Sequence, residues 1–249
     1  MGDAAPPRRH TLPESIHMRL NPVVFKPILA FIVVLASSFT VRAADEKALK
    51  PGQEPPRSKQ LFDGTSLSQW LIAGTKDQAD WPMEDGAMVS AKHDIETSAK
   101  FKSFVLHIEF NEPKLGPEFK SQDRGNSGIF LQGRYELQVL DSYHNDTYAK
   151  GGCAAIYSIA DPANNVAKPP GEWQTYDITF HAAKFEDGKK VKNAHITVYW
   201  NGELVHDDIE IPHETPSGAK EADTPGPIRL QFHNHAVKFR NIWTAGLRD

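Results

Sequence analysis

Phe104-Val105-Leu106-His107-Ile108-Glu109-Phe110 sends Phe104, Leu106, Ile108 and Phe110 to one side of an extended chain. The same short alternating habit returns in Gly128–Leu131, Tyr135–Val139, Trp173–Phe180, His195–Trp200, Ile228–Phe232 and Val237–Trp243, with Gly, Pro, Asn and Asp between the runs. Asn201-Gly202, set between two alternating runs, is the strongest short hairpin signal a sequence can carry. No stretch sustains a 3.6-residue period, and the best helical candidate, Glu96 to Lys100, is too short to matter. Strands of this kind bury their apolar sides only by stacking one sheet on another. The expected fold is therefore all-β, a two-sheet antiparallel sandwich or barrel. No repeat of fixed period points to a propeller.

Upstream of these runs, Ile28 to Phe39 is apolar for twelve residues. A bilayer span needs about 20. Arg19 and Lys26 precede the run and Val41-Arg42-Ala43 follows it, the order of a secretory signal peptide. Residues 1–43 are read as that removable segment, with Met18 as an alternative start, residues 44–57 as a polar, proline-bearing linker, and residues 58–249 as one domain. The expected location is outside the cytoplasm, periplasmic or secreted, without membrane attachment once the leader is cleaved. With 28 basic and 32 acidic residues the formal net charge is −4, which argues against a nucleic-acid partner. A single cysteine, Cys153, excludes an internal disulfide and a cysteine-based zinc site, and is expected to be buried as a small apolar residue. Oligomeric state is not encoded in any of these features.

Sorting each strand by its two faces gathers a polar set. Opposite the apolar residues lie His107 and Glu109, then Glu136 and Gln138, then Arg229, Gln231 and His233. Solvated strand faces are usually Lys, Thr, Ser and Glu. This mixture of Glu, Gln, His and Arg suits hydroxyl recognition and proton transfer. The turn Arg124-Gly125-Asn126-Ser127-Gly128 can aim backbone N–H groups, and Asp141 closes the Glu136/Gln138 strand. The expectation is that Glu109, Glu136, Gln138, Gln231 and His233 converge on one concave face with Asp141 at its edge. Loops Asp141–Asn165 and Pro212–Pro227 are long enough to serve such a site.

The same runs carry a specific resemblance. Leu61-Phe62-Asp63-Gly64 with Trp70, Gly125-Asn126-Ser127-Gly128-Ile129 with Tyr135-Glu136-Leu137-Gln138-Val139-Leu140-Asp141, and Gly226-Pro227-Ile228-Arg229-Leu230-Gln231-Phe232-His233 with Phe239-Arg240-Asn241-Ile242 resemble, in order, the motifs of the 3-keto-disaccharide hydrolase family. One departure is Asn234, where that family commonly has Gly after its His. The resemblance implies a concanavalin A-like jelly roll acting on a carbohydrate whose C3 hydroxyl is already a ketone. Such a ketone acidifies the C2 proton, so a base can remove it and expel the C1 substituent, after which water adds. This chemistry implies Glu136 or His233 as base, Arg134 or Arg229 as stabiliser of the enolate, and Glu109 or Asp141 as proton donor. Asn126, Gln138 and Gln231 would bind hydroxyls. Glu136, Asp141 and His233 also offer oxygen and imidazole ligands, so a divalent cation is one option beside a plain hydrogen-bonded cluster. The rival to catalysis is a lectin-like module that binds glycans on the same face. Trp81, Trp173, Trp200 and Trp243 are expected in the core rather than as binding platforms.

Overall fold

The structure, a computed structural model of the chain, describes residues 51–247. The leader-like segment and residues 44–50 of the linker lie outside the described residues. In chain order the strands are β1 (Lys59–Phe62), β2 (Trp70–Ile72), β3 (Met83–Glu84), β4 (Ala87–Val89), β5 (Ile95–Thr97), β6 (Phe104–Asn111), β7 (Ser127–Leu131) and β8 (Tyr135–Val139). They continue as β9 (Gln174–His181), β10 (Lys184–Glu186), β11 (Lys189–Lys192), β12 (Ala194–Trp200), β13 (Glu203–Ile211), β14 (Arg229–Leu230) and β15 (Lys238–Gly246). A 3₁₀ turn, Ser121–Asp123, is the one helical element among the described residues.

Two antiparallel sheets face each other. The larger, of eight strands, runs β13-β12-β9-β6-β15-β4-β3 with β1 also on β15, and the smaller, of five, runs β2-β5-β14-β7-β8. Their inner faces meet in one apolar cluster. Phe104, Leu106, Ile108 and Phe110 come from β6, Tyr176, Ile178 and Phe180 from β9, and Ile129, Tyr135, Leu137, Val139 and Leu230 from the smaller sheet. The two-sheet sandwich expected from the alternation, a jelly roll as the family resemblance implies, is the fold observed. Asn201 and Gly202 turn the β12–β13 hairpin with φ of 54° and 83°, the left-handed pair that a two-residue turn demands.

Some local expectations are corrected. The helical candidate begins inside β5, where Glu96 pairs with Arg229 and with Leu71. A candidate of five residues is overridden at its start by a ladder on both edges of β5. Trp81 and Trp200 are core residues. Trp243 instead stacks on His107 on the outer face of the larger sheet, centroids 5.1 Å apart. Trp173 is half-buried beneath the Arg240 guanidinium, 3.9 Å away. Cys153 is buried, with its sulfur 3.0 Å from the Tyr176 hydroxyl, and burial raises the thiol's pKa.

The two long loops lie against the smaller sheet. Ala154–Tyr157 runs along the free edge of β8: Ala154 N–H donates to the Gln138 carbonyl at 3.0 Å, Gln138 N–H to Ala155 at 2.9 Å, and Tyr157 N–H to Glu136 at 3.0 Å. The loop after β13 is tied to the β7–β8 turn by Thr215 N–H to the Arg134 carbonyl at 3.1 Å and Ala219 N–H to Gly133 at 2.9 Å. Leu137, 1 % exposed, is the central inward residue of β8. Leu137→Ala should cost roughly 2–5 kcal/mol in denaturant unfolding. A loss below about 1 kcal/mol would place that side chain outside the core.

Candidate functional site

Period two along β8 sends Tyr135, Leu137 and Val139 into the core, so Glu136 and Gln138 face outward. On the neighbouring strand Gly128 stands opposite Gln138, and Phe130 opposite Glu136. Next in the sheet, Arg229 pairs with Phe130 on one side and Glu96 on the other. Gln231 continues that register, its N–H donating to the Gly128 carbonyl at 2.9 Å. One face therefore carries Glu136, Gln138, Arg229 and Gln231 together, from two sequence-distant segments.

Gly128 is what lets the carboxyl group lie down on this face. A Cβ there would sit 2.3 Å from Glu136 Oε1, closer than any real contact. Glu136 is only 4 % exposed. Burial pushes its carboxyl up to about 8, against the pull of Arg229 and with the help of Asp94. Arg229 has its Cζ over the Phe130 ring, 3.8 Å from the centroid, and donates from Nη2 to the Ser217 carbonyl at 2.8 Å. Beside it, Asp94, Glu96, Lys100, Gln132 and Arg229 border an open cleft of about 530 Å³.

Gln138 belongs to an amide network. Its Nε2 donates to Gln122 Oε1 at 3.2 Å and to the Gly151 carbonyl at 3.4 Å. Gln122 Nε2 donates to the same carbonyl and to Thr147 Oγ1, both at 2.7 Å. Asn126 joins through Nδ2, which donates to Gln122 Oε1 at 3.1 Å. Tyr148, 51 % exposed, lays its ring over Gly151, where a Cβ would meet the ring at 2.3 Å. Its hydroxyl meets that of Tyr157.

Residues 57–245 match the model of the 3-keto-alpha-glucoside-1,2-lyase-like domain. The chain belongs to that family. A structure from Parabacteroides distasonis ATCC 8503, provisionally described as a glycosyl hydrolase, is 39 % identical, with a TM-score of 0.73 over 78 % of this chain and 85 % of that one. A second protein of the same organism and description, 19 % identical over 77 % of this chain and 94 % of that chain, shares the fold at a TM-score of 0.56. Among curated proteins, none matches.

Within this 3-keto-alpha-glucoside-1,2-lyase-like domain, other expected site residues lie elsewhere. Glu109 is on the outer face of the larger sheet, held by Arg240 Nε at 2.6 Å and Asn241 Nδ2 at 2.9 Å. It cannot meet Glu136, because the whole core lies between them. Arg134 is a loop anchor rather than a sugar contact. Its guanidinium donates to Gln132 Oε1, to the Lys220 and Thr224 carbonyls and to Thr224 Oγ1 at 2.7–3.1 Å. Asp141 does lie at the end of β8, but beside Arg124, whose Nε is 2.7 Å from Oδ2. Burial raises the pKa of Asp141, and its charge acts on Glu112 rather than Glu136.

His233 leaves the face because β14 stops early. Asp94 Oδ1 accepts the Phe232 N–H at 2.9 Å, ending the ladder, and His233 emerges exposed. Asn234 then turns the chain at φ 60°, a conformation asparagine tolerates in place of the family's glycine. His235, two residues further on, is buried. Its Nδ1 accepts the Asn126 N–H at 3.2 Å, which leaves the proton on Nε2, 3.4 Å from Asp123. Glu136, Asp141 and His233 thus do not assemble as metal ligands, and no such group of three forms among the described residues.

Glu112 is the acid that alternation missed. It is fully buried one residue past β6, takes both Gln174 Nε2 hydrogen bonds at 2.9 and 3.0 Å, and is pushed by burial to about 8. Both Glu112 and Glu136 have folded pKa values above the unfolded one. Their neutral forms stabilise the fold fully below about pH 4.5, and that contribution is lost as pH rises through about 8. Glu136→Gln should therefore flatten the stability profile and make the protein more stable than wild type at pH 9, as read by urea unfolding. An unchanged profile would mean that the Glu136 carboxyl is solvated.

Proposed function

We propose that this domain cleaves 3-keto-glycosides by elimination followed by hydration, with Glu136 as the base. The observation that carries this reading is a buried carboxyl, raised to about 8, between an arginine and an acceptor-bearing amide on one sheet face. A carboxylate with that affinity for a proton is a stronger base than a solvated one, and about a tenth of it is ionised at pH 7. Glu136 takes the proton from C2, and the C–H electron pair flows into an enolate whose oxygen Arg229 stabilises. The enolate collapses, the C1–O bond breaks and a C1=C2 bond forms. The departing oxygen takes up the proton that Glu136 has just received, and water then adds across C1=C2. This route is unlike the paired-carboxylate mechanism of ordinary glycosidases, and the separation of Glu109 from Glu136 by the core supports it.

Glu136→Gln should lower aglycone release from a 3-keto-glucoside by about 10²–10⁴-fold while the fold is kept. In the wild type kcat/KM should climb with pH through about 8, as the base ionises. Activity that survives the substitution would remove Glu136 from the mechanism. The half-exposed ring of Tyr148 favours one other reading, a glycan-binding module without chemistry; it predicts sugar binding and no release from any 3-keto-glycoside. For location, we propose export. Ile28–Phe39 with its basic and small-residue flanks supports this. The intact mass of the native protein should correspond to a start near Ala44 or Asp45, and a full-length cytosolic species would refute it.

A further inference from the structure

Buried polar atoms without a hydrogen bond are rare, and each calls for an explanation, an absent ligand among them. Among the described residues there are five: His93 Nε2, Gln138 Oε1, Asp141 Oδ2, His195 Nδ1 and Arg229 Nε. Three of these have an ionic partner close by, Asp80 at 2.9 Å, Arg124 at 2.7 Å and Asp208 at 3.2 Å respectively. The other two have no charged or hydrogen-bonding atom as close as these. Arg229 Nε is 3.6 Å from Asp94, beyond hydrogen-bond range, and Gln138 Oε1 has no ionic contact among the described residues. Both lie on the outer face of the smaller sheet. Arg229 is two strands from Glu136 in the same cross-strand row, and Gln138 is two residues along the same strand.

The two orphans are opposite in kind. Arginine can only donate. The orientation of the Gln138 amide is set by the Gly151 carbonyl, which can only accept and so draws the Nε2 of both Gln138 and Gln122. What remains on Gln138 is a pure acceptor. A donor-only atom and an acceptor-only atom flanking a base match a carbonyl and a hydroxyl on adjacent carbons.

We propose that the site reads the configuration at C2: the C3 ketone oxygen accepts from Arg229, the C2 hydroxyl donates to Gln138 Oε1, and the C2 hydrogen is thereby turned toward Glu136. The proposal rests on the reading of Glu136 as the base and makes Gln138 its specificity-determining partner. In the C2 epimer the hydrogen and hydroxyl change places, so the hydroxyl cannot reach Gln138 while the hydrogen faces Glu136. A ketone at C2 would set two acceptors against each other. Both orphan atoms are closed off from water in the unliganded chain, so a side chain must move to admit the sugar. Tyr148, half exposed and resting on Gly151, is placed to do so.

The test is calorimetric titration of the full chain carrying Glu136→Gln, which binds without turnover, with a 3-keto-glucoside and its 2-deoxy analogue. The hydroxylated sugar should bind about tenfold more tightly, the worth of one hydrogen bond to a buried acceptor. Adding Gln138→Leu should abolish that preference, whereas adding Gln138→Glu, titrated at about pH 4 where its protonated carboxyl keeps both a donor for the Gly151 carbonyl and a free acceptor, should retain it. Circular dichroism checks that each variant folds. Should the Leu variant fail to fold, the retained preference in Gln138→Glu together with weaker binding of the C2 epimer supports the proposal. Equal binding of the two sugars by Glu136→Gln, an undiminished preference in folded Gln138→Leu, or no binding of either sugar overturns it. Aglycone release by the wild type is measured separately. Its absence would defeat the cleavage reading while leaving a Gln138-dependent preference intact.

Discussion

Strand β8 is hydrogen-bonded along both edges, by β7 on one side and by Ala154–Tyr157 on the other. The outer face of the smaller sheet depends on that double ladder. Tyr135, Leu137 and Val139 fill the core, so a slip of one residue would drive Glu136 and Gln138 into it and expose three large apolar groups. The core thus holds the two polar side chains in register, and no contact with a ligand is needed to place them. The same ladder sets Gly128 and Phe130 across from them, which supplies space for the carboxyl group and a flat seat for Arg229.

Burial of that carboxyl group is the work of the loops. The Ala154–Tyr157 segment covers the edge of β8. Arg134, spending its donors on Gln132, Lys220 and Thr224, binds the loop after β13 against the β7–β8 turn. Removing water raises the cost of the ionised form, and neither Arg229 nor any nearby cation fully offsets it. Glu112 reaches a similar state by another route and to another end. Both of its oxygens face the Gln174 amide in a closed part of the core. Glu136 shares its sheet face with two buried polar atoms, on Gln138 and Arg229, that make no hydrogen bond among the described residues. The contrast separates an acid bonded within the core from one on a sheet face beside polar atoms free of hydrogen bonds.

Much of the fold was legible. Runs such as Phe104–Phe110, Tyr135–Val139 and His195–Trp200 are long enough for their period to show, and Asn201-Gly202 marks its hairpin by backbone chemistry alone. The short strands β2, β3 and β5 were not legible, because two or three residues cannot display a period, and β5 forms only because β2 and β14 pair with it. Of the site, Glu136, Gln138, Arg229 and Gln231 were readable as one polar set. Phe130 was not singled out, although it shares Gly128's side of an alternating run. Asp94 and Tyr148 come from loops and Gln122 from a single 3₁₀ turn, where no period exists to sort them.

By itself, then, the sequence determined which side of each strand is apolar, since alternation is a property of neighbours along the chain. It could not say which sheet a strand joins. Glu109 and Glu136 look equivalent in their runs, yet β6 pairs with β9 and β15 while β8 pairs with β7, so the two carboxyls point away from each other across the full thickness of the core. His233 was misplaced for a related reason: Asp94, 138 positions before Phe232, accepts the Phe232 N–H and ends that strand. Face follows from local covalent geometry. Sheet membership, strand length and the burial that sets a carboxyl's affinity for protons are decided by partners far away in sequence, and only the folded chain brings those partners together.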